Sequence, residues 1–370
     1  MIILYLAIIS FLNSILYVLY NNCKMRYWKV FKNIFVMGFI VSVMWLMFSW
    51  SSMEFIRYAS MDPRSIPITV KNKLCHVNNN DERVFLNNSS DLKMIYYVTP
   101  TYPRPEQVPE LTRLAHTLMH VPKIHWIVAD DQSLCSKDVA DILRRTGLPY
   151  THISSPKPYI YKGTNFPRGV ANRRAALSWL QENAVEGVLY FGDDDNTIDL
   201  QLFDEIRLTK KVSMFPVGLI GDYGVSSPIV KDGKVVGFFD SWPGSRMFAV
   251  DMAGFAVNIE FLKPSANMPY IAGHEEDRFL VSLGLKLEDI EPLAANCSKV
   301  LVWHTKTVKY KKPTLRVDIK KLEDVTAYKY FVNLLKETSR LGMASISNSN
   351  GTKPYITRNR KSYETVAELH

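Results

Sequence analysis

Of 370 residues, 47% are hydrophobic and 22% charged, enough apolar material to bury a domain core once a membrane anchor is set aside. The formal charge of +9 raises nucleic acid as a partner, but the lysines and arginines are spread along the chain with no basic stripe interleaved with aromatics, which excludes that class. Four cysteines exclude a disulfide scaffold.

Met1 to Asn22 carries no charged side chain, and Lys24, Arg26, Lys29 and Lys32 follow without an acid. Residues 1–53 therefore form a hydrophobic region with a basic segment at 24–32 and a transmembrane anchor at about 34–53, the length of one span. The positive-inside rule places 24–32 in the cytosol and everything after the anchor on the opposite side. The first run lacks the basic start and cleavage site of a signal peptide; whether or not it spans, the C-terminal bulk lies on the same side. Acceptor triplets for N-glycosylation begin at Asn87, Asn88, Asn296 and Asn350. Cys75 is open to two readings, a bond between two subunits or a free thiol.

Residues 54–92 are polar, rich in asparagine and broken by Pro63 and Pro67, the composition of a stem. The ordered part is expected from Lys93. Met94 to Val98 predicts a strand entering the rigid Thr99–Pro103 loop. Leu111, Leu114, Ala115, Leu118 and Met119 recur at helical spacing until Pro122. Ile124 to Ala129 predicts a strand ending in Asp130 and Asp131. Ser136 can cap a helix that Gly147 terminates. Arg168 to Asn183 predicts another helix, and Val188 to Phe191 a strand leading into three aspartates. Asp199 can cap a helix bearing Phe203 and Ile206.

Strands alternating with helices argue for an α/β fold with a mostly parallel sheet. Residues 93–212 form its first subdomain. In the second, 213–313, Ser213–Leu219, Val235–Phe239, Met247–Val257 and Val300–Trp303 read as strands of a mixed sheet, with a hairpin turn at Asp232-Gly233. Glu276–Leu283 is a helix candidate. Residues 314–370 read as a charged helix and a polar tail.

The strongest chemical signal is Gly192-Asp193-Asp194-Asp195-Asn196. Three adjacent carboxylates repel one another unless a cation sits among them, and a buried strand that ends there holds them where a divalent metal and a diphosphate could meet. A solvated acidic turn is the plain alternative. Three candidate strands end in polar residues, at Thr99–Tyr102, Asp130-Asp131 and Asp193–Asp195, which is where parallel sheets line a ligand crevice.

Six short segments then carry a resemblance, in order and spacing, over about Lys93 to Lys309. They are Tyr97–Tyr102, Pro167–Val170, Tyr190–Thr197, Pro216–Leu219, Val250–Val257 and Val302–Thr305. Together they resemble the β-1,3-glucuronosyltransferases of glycosyltransferase family 43. The resemblance implies a GT-A type nucleotide-sugar fold, UDP-glucuronate as donor, Mn2+ as cofactor, inversion at the anomeric carbon and a galactose-terminated acceptor, with the Gal-Gal-Xyl linkage of proteoglycans first and other glycoprotein or glycolipid galactosides second. It also implies a membrane-anchored homodimer in the Golgi with a lumenal catalytic domain.

Carried over by position, Pro100, Thr101, Tyr102 and Asp131 would hold uridine, with Tyr102 stacked on the base. Arg168 and Arg173 would bind the donor's anionic groups. Asp193 and Asp194 would face ribose and donor sugar, Asp195 would ligate the metal, and His304, Thr305 and Lys306 would close over the diphosphate. Glu276 would be the catalytic base, with Glu275 its rival. Trp242, Arg246 and Asp251 would hold the acceptor, the last two as a charged pair. Lys306, Phe215, Ser226 and Glu275 depart from the family's usual arginine, tryptophan, acidic and apolar residues. An inactive glycan-binding relative and a metal-dependent phosphatase are the rival classes.

Overall fold

The computed structural model describes residues 72–83, 91–161, 166–242, 244–305, 307–309, 311–324, 328–354, 356–358 and 361–363. The chain divides into two units, Met1–Pro67 and Ile68–His370. The first, with the expected anchor, lies outside the described residues, as do Asn87, Asn88 and Lys306. Among the described residues, no helix is long and apolar enough to cross a membrane.

Three apolar runs become the central strands β2 (Ile95–Thr101), β3 (Ile124–Asp130) and β5 (Val188–Phe191), almost wholly buried. Between them run α1 (Gln107–Leu118), which buries Leu111, Leu114, Ala115 and Leu118, and α2 (Lys137–Arg145), where Ser136 Oγ accepts from Val139 N at 3.4 Å. Next come α3 (Val170–Asn183), which starts only after Gly169, held at φ 75°, and the short α4 (Gln201–Arg207). Strand β4 (Tyr150–Ser154) has no counterpart in the sequence reading, because Thr151, His152 and Ser154 break the apolar pattern although all are buried.

An eight-stranded sheet runs β1–β4–β3–β2–β5–β11–β7–β12, with β1 (Lys73–Asn78), β7 (Val212–Met214), β11 (Phe255–Asn258) and β12 (Ile290–Pro292). Strands β4, β3, β2, β5, β7 and β12 run in one direction and only β1 and β11 run against them, so the sheet is mostly parallel with two antiparallel strands. From β2 the chain proceeds outward to β3 and β4, then returns to β5 on the other side of β2. That reversal of strand order opens a crevice at the carboxyl ends of β2 and β5.

A second sheet runs β10–β9–β8–β13–β6, from β6 (Thr197–Ile198), β8 (Val217–Gly218), β9 (Val225–Lys231), β10 (Lys234–Phe239) and β13 (Val302–Trp303). Ser213–Leu219 is not one strand. It is cut at Phe215-Pro216, where proline has no N–H for a ladder, and the chain passes from one sheet to the other. Met247–Val257 contains strand only from Phe255, because Asp251 accepts from Ala253 N at 3.0 Å and starts a tight turn instead. Asp232 and Gly233 both have positive φ, 50° and 74°, as the β9–β10 hairpin turn requires.

Further corrections concern the ends of the domain. The stretch read as stem contributes β1, which pairs with β4. Its polar composition reflects an edge strand with exposed side chains. Cys75 is neither free nor intersubunit: it is bonded to Cys135, with 5.7 Å between the Cα atoms. Past Thr314 the described residues form two helices, α6 (Ile319–Glu323) and α7 (Lys329–Arg340), and Arg340 of α7 bridges to Asp138 of α2 at 2.6 Å. Asn350 is exposed, as is Asn296 in the left-handed turn of Leu293–Cys297.

Candidate active site

The crevice between β2 and β5 is closed by a charge network. Thr101 Oγ1 donates to Asp194 at 2.6 Å, and Arg104 grips both Asp194 oxygens through two bonds of 2.8 Å. Arg173 of α3 is ion-paired with Asp193. Asp195 differs from both neighbours. Among the described residues nothing donates to its carboxylate; only its backbone oxygen accepts, from Arg113 at 3.2 Å and from Thr305. Burial first, then the charges of Asp193 and Asp194, raise its pKa above the ordinary carboxylate value.

Glycine precedes the aspartates for a steric reason. A Cβ on Gly192 would lie 1.9 Å from Tyr97 Oη. Gly169 does similar work at the start of α3, where a Cβ would lie 2.6 Å from Arg173 Nη1 and 3.4 Å from Pro100 Cβ. Its absence lets the helix deliver Arg173 to the strand ends.

At the end of β3, Asp131 accepts from Lys157 N at 2.6 Å. Its neighbour Asp130 is buried, accepts from Gln107 at 3.1 Å and Gln132 at 2.7 Å, and is pushed up to about 6 by burial. Two guanidinium groups lie on the Tyr102 ring, Arg104 at 4.5 Å and Arg168 at 5.2 Å from its centroid. Arg168 also donates to Tyr102 Oη at 3.2 Å. A base stacked on this ring would therefore share it with cations.

Glu276 stands in the first turn of α5 (Glu275–Ser282). Burial, then the charges of Glu275 and Asp251, push its carboxyl up to about 8, against an opposing pull from Arg173. The three acids of this turn have separate surroundings. Asp277 is buried and accepts from Met247 N and Phe248 N at 2.8 and 2.9 Å, so it holds the backbone. Glu275 is raised more modestly, chiefly by burial.

His304 Nδ1 meets Asp251 Oδ2 at 3.1 Å. That bond is the main cause of its raised pKa, with Asp193 and Asp195 adding to it. Thr305 reaches Asp195 O and lies 3.2 Å from Thr197 Oγ1. Asp251 thus links electrostatically to Glu276 on one side and, through His304, to the aspartates on the other. Asp193, Asp195, His304, Asp251 and Glu276 lie within electrostatic reach of one another.

Trp242 lies against the Gly244 and Gly273 backbones, where a Cβ would approach its ring to 2.8 and 2.3 Å, and its ring meets His274 edge-on at 5.6 Å. Arg246 and Asp251 are not a pair. Arg246 bonds Asp240 at 3.0 Å, Val250 O at 3.2 Å and Trp242 O, while its guanidinium sits 4.8 Å from the Trp242 ring. It braces the tryptophan. Phe215 is core, and Ser226 is buried with no partner for its Oγ among the described residues.

Arg104 and Gln107 escaped the sequence reading, and Asp130 entered it only as a polar strand end. The available signal was the triple aspartate itself, which demands cations, together with an arginine two residues beyond Tyr102 in the same loop. For the implied metal, no cage of three His, Cys, Asp or Glu side chains exists among the described residues. Asp195, with a carboxylate free of donors, suits a hard divalent ion that completes its shell with diphosphate and water.

Such a crevice, with anion-pairing arginines and one unspent carboxylate, has the form of a nucleotide-sugar site. The model of glycosyltransferase family 43 matches residues 114–308, and the chain belongs to that family. It is 51% identical over 309 residues to galactosylgalactosylxylosylprotein 3-beta-glucuronosyltransferase S of Drosophila melanogaster, covering 81% of this chain and 74% of that one. It is 45% identical over 243 residues to the mouse (Mus musculus) galactosylgalactosylxylosylprotein 3-beta-glucuronosyltransferase 2, covering 62% and 74%. The solved structure of S. aureus TarS 1-349 is 16% identical with a TM-score of 0.37, over 57% of this chain and 60% of that one, a likeness too loose to carry an argument.

Proposed function

We propose that this chain is a GT-A type inverting glucuronosyltransferase, moving glucuronate from UDP-glucuronate to the 3-hydroxyl of a terminal β-galactose, first of all in the Gal-Gal-Xyl linkage region of proteoglycans. The activity named for the relatives supports the reaction. The observation that carries it is the His304–Asp251 bond at 3.1 Å, with Asp195 acting on the charge of His304 and Asp251 on that of Glu276.

Mn2+ bound at Asp195 would neutralise charge on the departing diphosphate. Arg168, exposed at the mouth, offers a planar fork to an anionic group of the donor, and His304, its positive charge favoured by Asp251, offers a second cation. Trp242 presents an apolar ring face to the galactose. Glu276 removes the proton of the galactose 3-hydroxyl as that oxygen bonds to the anomeric carbon and the bond to UDP breaks. Attack from the face opposite UDP gives inversion. The enzyme would work as a Golgi-membrane homodimer, anchored by 34–53 with its catalytic domain in the lumen.

The test is transfer by the purified chain from UDP-glucuronate, with Mn2+, to a panel of galactose-terminated acceptors, the new linkage being read by NMR. Glu276→Gln is expected to keep UDP affinity and lose transfer by about a hundredfold or more. Asp195→Ala is expected to weaken metal-dependent UDP binding. Absence of transfer to every acceptor would reject the enzyme reading.

A further inference from the structure

The second sheet ends at β10, and its outer face carries aromatic surface that the reaction above leaves unused. Tyr223 and Phe239 are stacked at 4.8 Å with 25° between their planes, yet they remain 55% and 46% exposed. Their surroundings are open. A Cβ on Gly224, beside Tyr223, or on Gly237, two residues before Phe239, would meet nothing within 4 Å. Ser227 lies opposite Phe239 and Ile229 opposite Gly237 in the β9–β10 ladder, so the face combines a hydroxyl with apolar area.

This pair is continuous with the acceptor end of the site. The turn before Tyr223 packs on the segment before Trp242, since a Cβ on Gly221 would lie 1.8 Å from Ser241 Oγ. Trp242 follows Phe239 by three positions, at most about 10 Å of chain. Trp242 in turn rests on Gly273 and His274, immediately before the α5 turn that bears Glu276. Aromatic rings with exposed faces and polar neighbours suit pyranose rings, whose C–H faces pack on π surfaces while their hydroxyls stay wet.

We propose that Tyr223 and Phe239 form an outer acceptor subsite for the sugar units on the reducing side of the terminal galactose, prolonging the platform begun by Trp242. The inference rests on the acceptor reading given under Proposed function. It makes acceptor length, rather than the terminal sugar alone, a determinant of specificity.

Full-length chain and its Tyr223→Ala, Phe239→Ala and Tyr223→Phe variants would be compared on methyl β-galactoside and on a galactose-terminated trisaccharide. Binding would be measured by saturation-transfer NMR and transfer by kcat and KM. Both alanine variants are expected to raise Kd and KM for the trisaccharide about five- to tenfold, with kcat unchanged and the methyl galactoside values unmoved. Tyr223→Phe should retain wild-type values. Equal effects on both acceptors, or none on either, would overturn the subsite. So would conversion of a dimer to a monomer in sedimentation, which would make the patch a contact between copies. Selective loss of trisaccharide binding in a chain that transfers nothing would reject the reaction and keep the subsite, while transfer with unaltered acceptor selectivity in the alanine variants would do the reverse.

Discussion

Glu276 combines a raised pKa with a proposed role that requires the ionised form. As a base it works only when deprotonated, so kcat/KM should climb with pH until about 8 and then level. Glu275→Gln removes one of the charges raising it and should move that midpoint down, a shift that a pH–rate profile would read. Stability runs the opposite way. A carboxyl raised in the folded state binds more protons there than in the unfolded chain, so ionising it weakens the fold as pH rises from about 4.5 to about 8. Glu276→Gln should therefore raise Tm at pH 8 and barely change it at pH 4.5, even as transfer disappears. Arg104 poses a separate test at this scale. Replacing it by alanine strands the buried Asp194 charge, at a cost of about 3–5 kcal/mol, measurable by denaturant unfolding.

Among the elements, the junction of β5 with the aspartates is the least tolerant. Gly192→Ala places a methyl against Tyr97, 1.9 Å from Oη and 2.3 Å from Cζ, and should unfold or strongly destabilise the chain. Adding Tyr97→Phe should recover only part of the loss, because the ring carbon still collides; thermal melts of the single and double variants would show it. The elements most legible from sequence were those whose own pattern decides them: β2, β3 and β5 as apolar runs, α1 and α2 by period and cap, the β9–β10 turn by Asp-Gly. Those missed depend on distant partners. β4 is polar in sequence, yet it is buried between β1 and β3. β12 is a three-residue strand added to β7, too short for any periodicity to register.

For the whole molecule, the Cys75–Cys135 bond ties the β1 edge to the loop after β3 across 60 residues of chain. Cys75→Ser should lower stability by about 2–4 kcal/mol. The native chain should show no Cys75-linked dimer on a non-reducing gel, where an intersubunit bond would give one. The sequence by itself determined which strands end in polar residues and, through six ordered motifs, the family, because local runs, turns and motif residues are carried by neighbours along the chain. The tertiary structure alone decided that Asp193 and Asp194 are held by Arg173 and Arg104 while, among the described residues, nothing donates to the Asp195 carboxylate, and that Arg246 braces Trp242 instead of joining Asp251. The reason is physical. Which carboxylate is left for a ligand depends on which cation reaches it first, and those cations come from α3 and the β2 loop, 20 and 90 residues away in sequence.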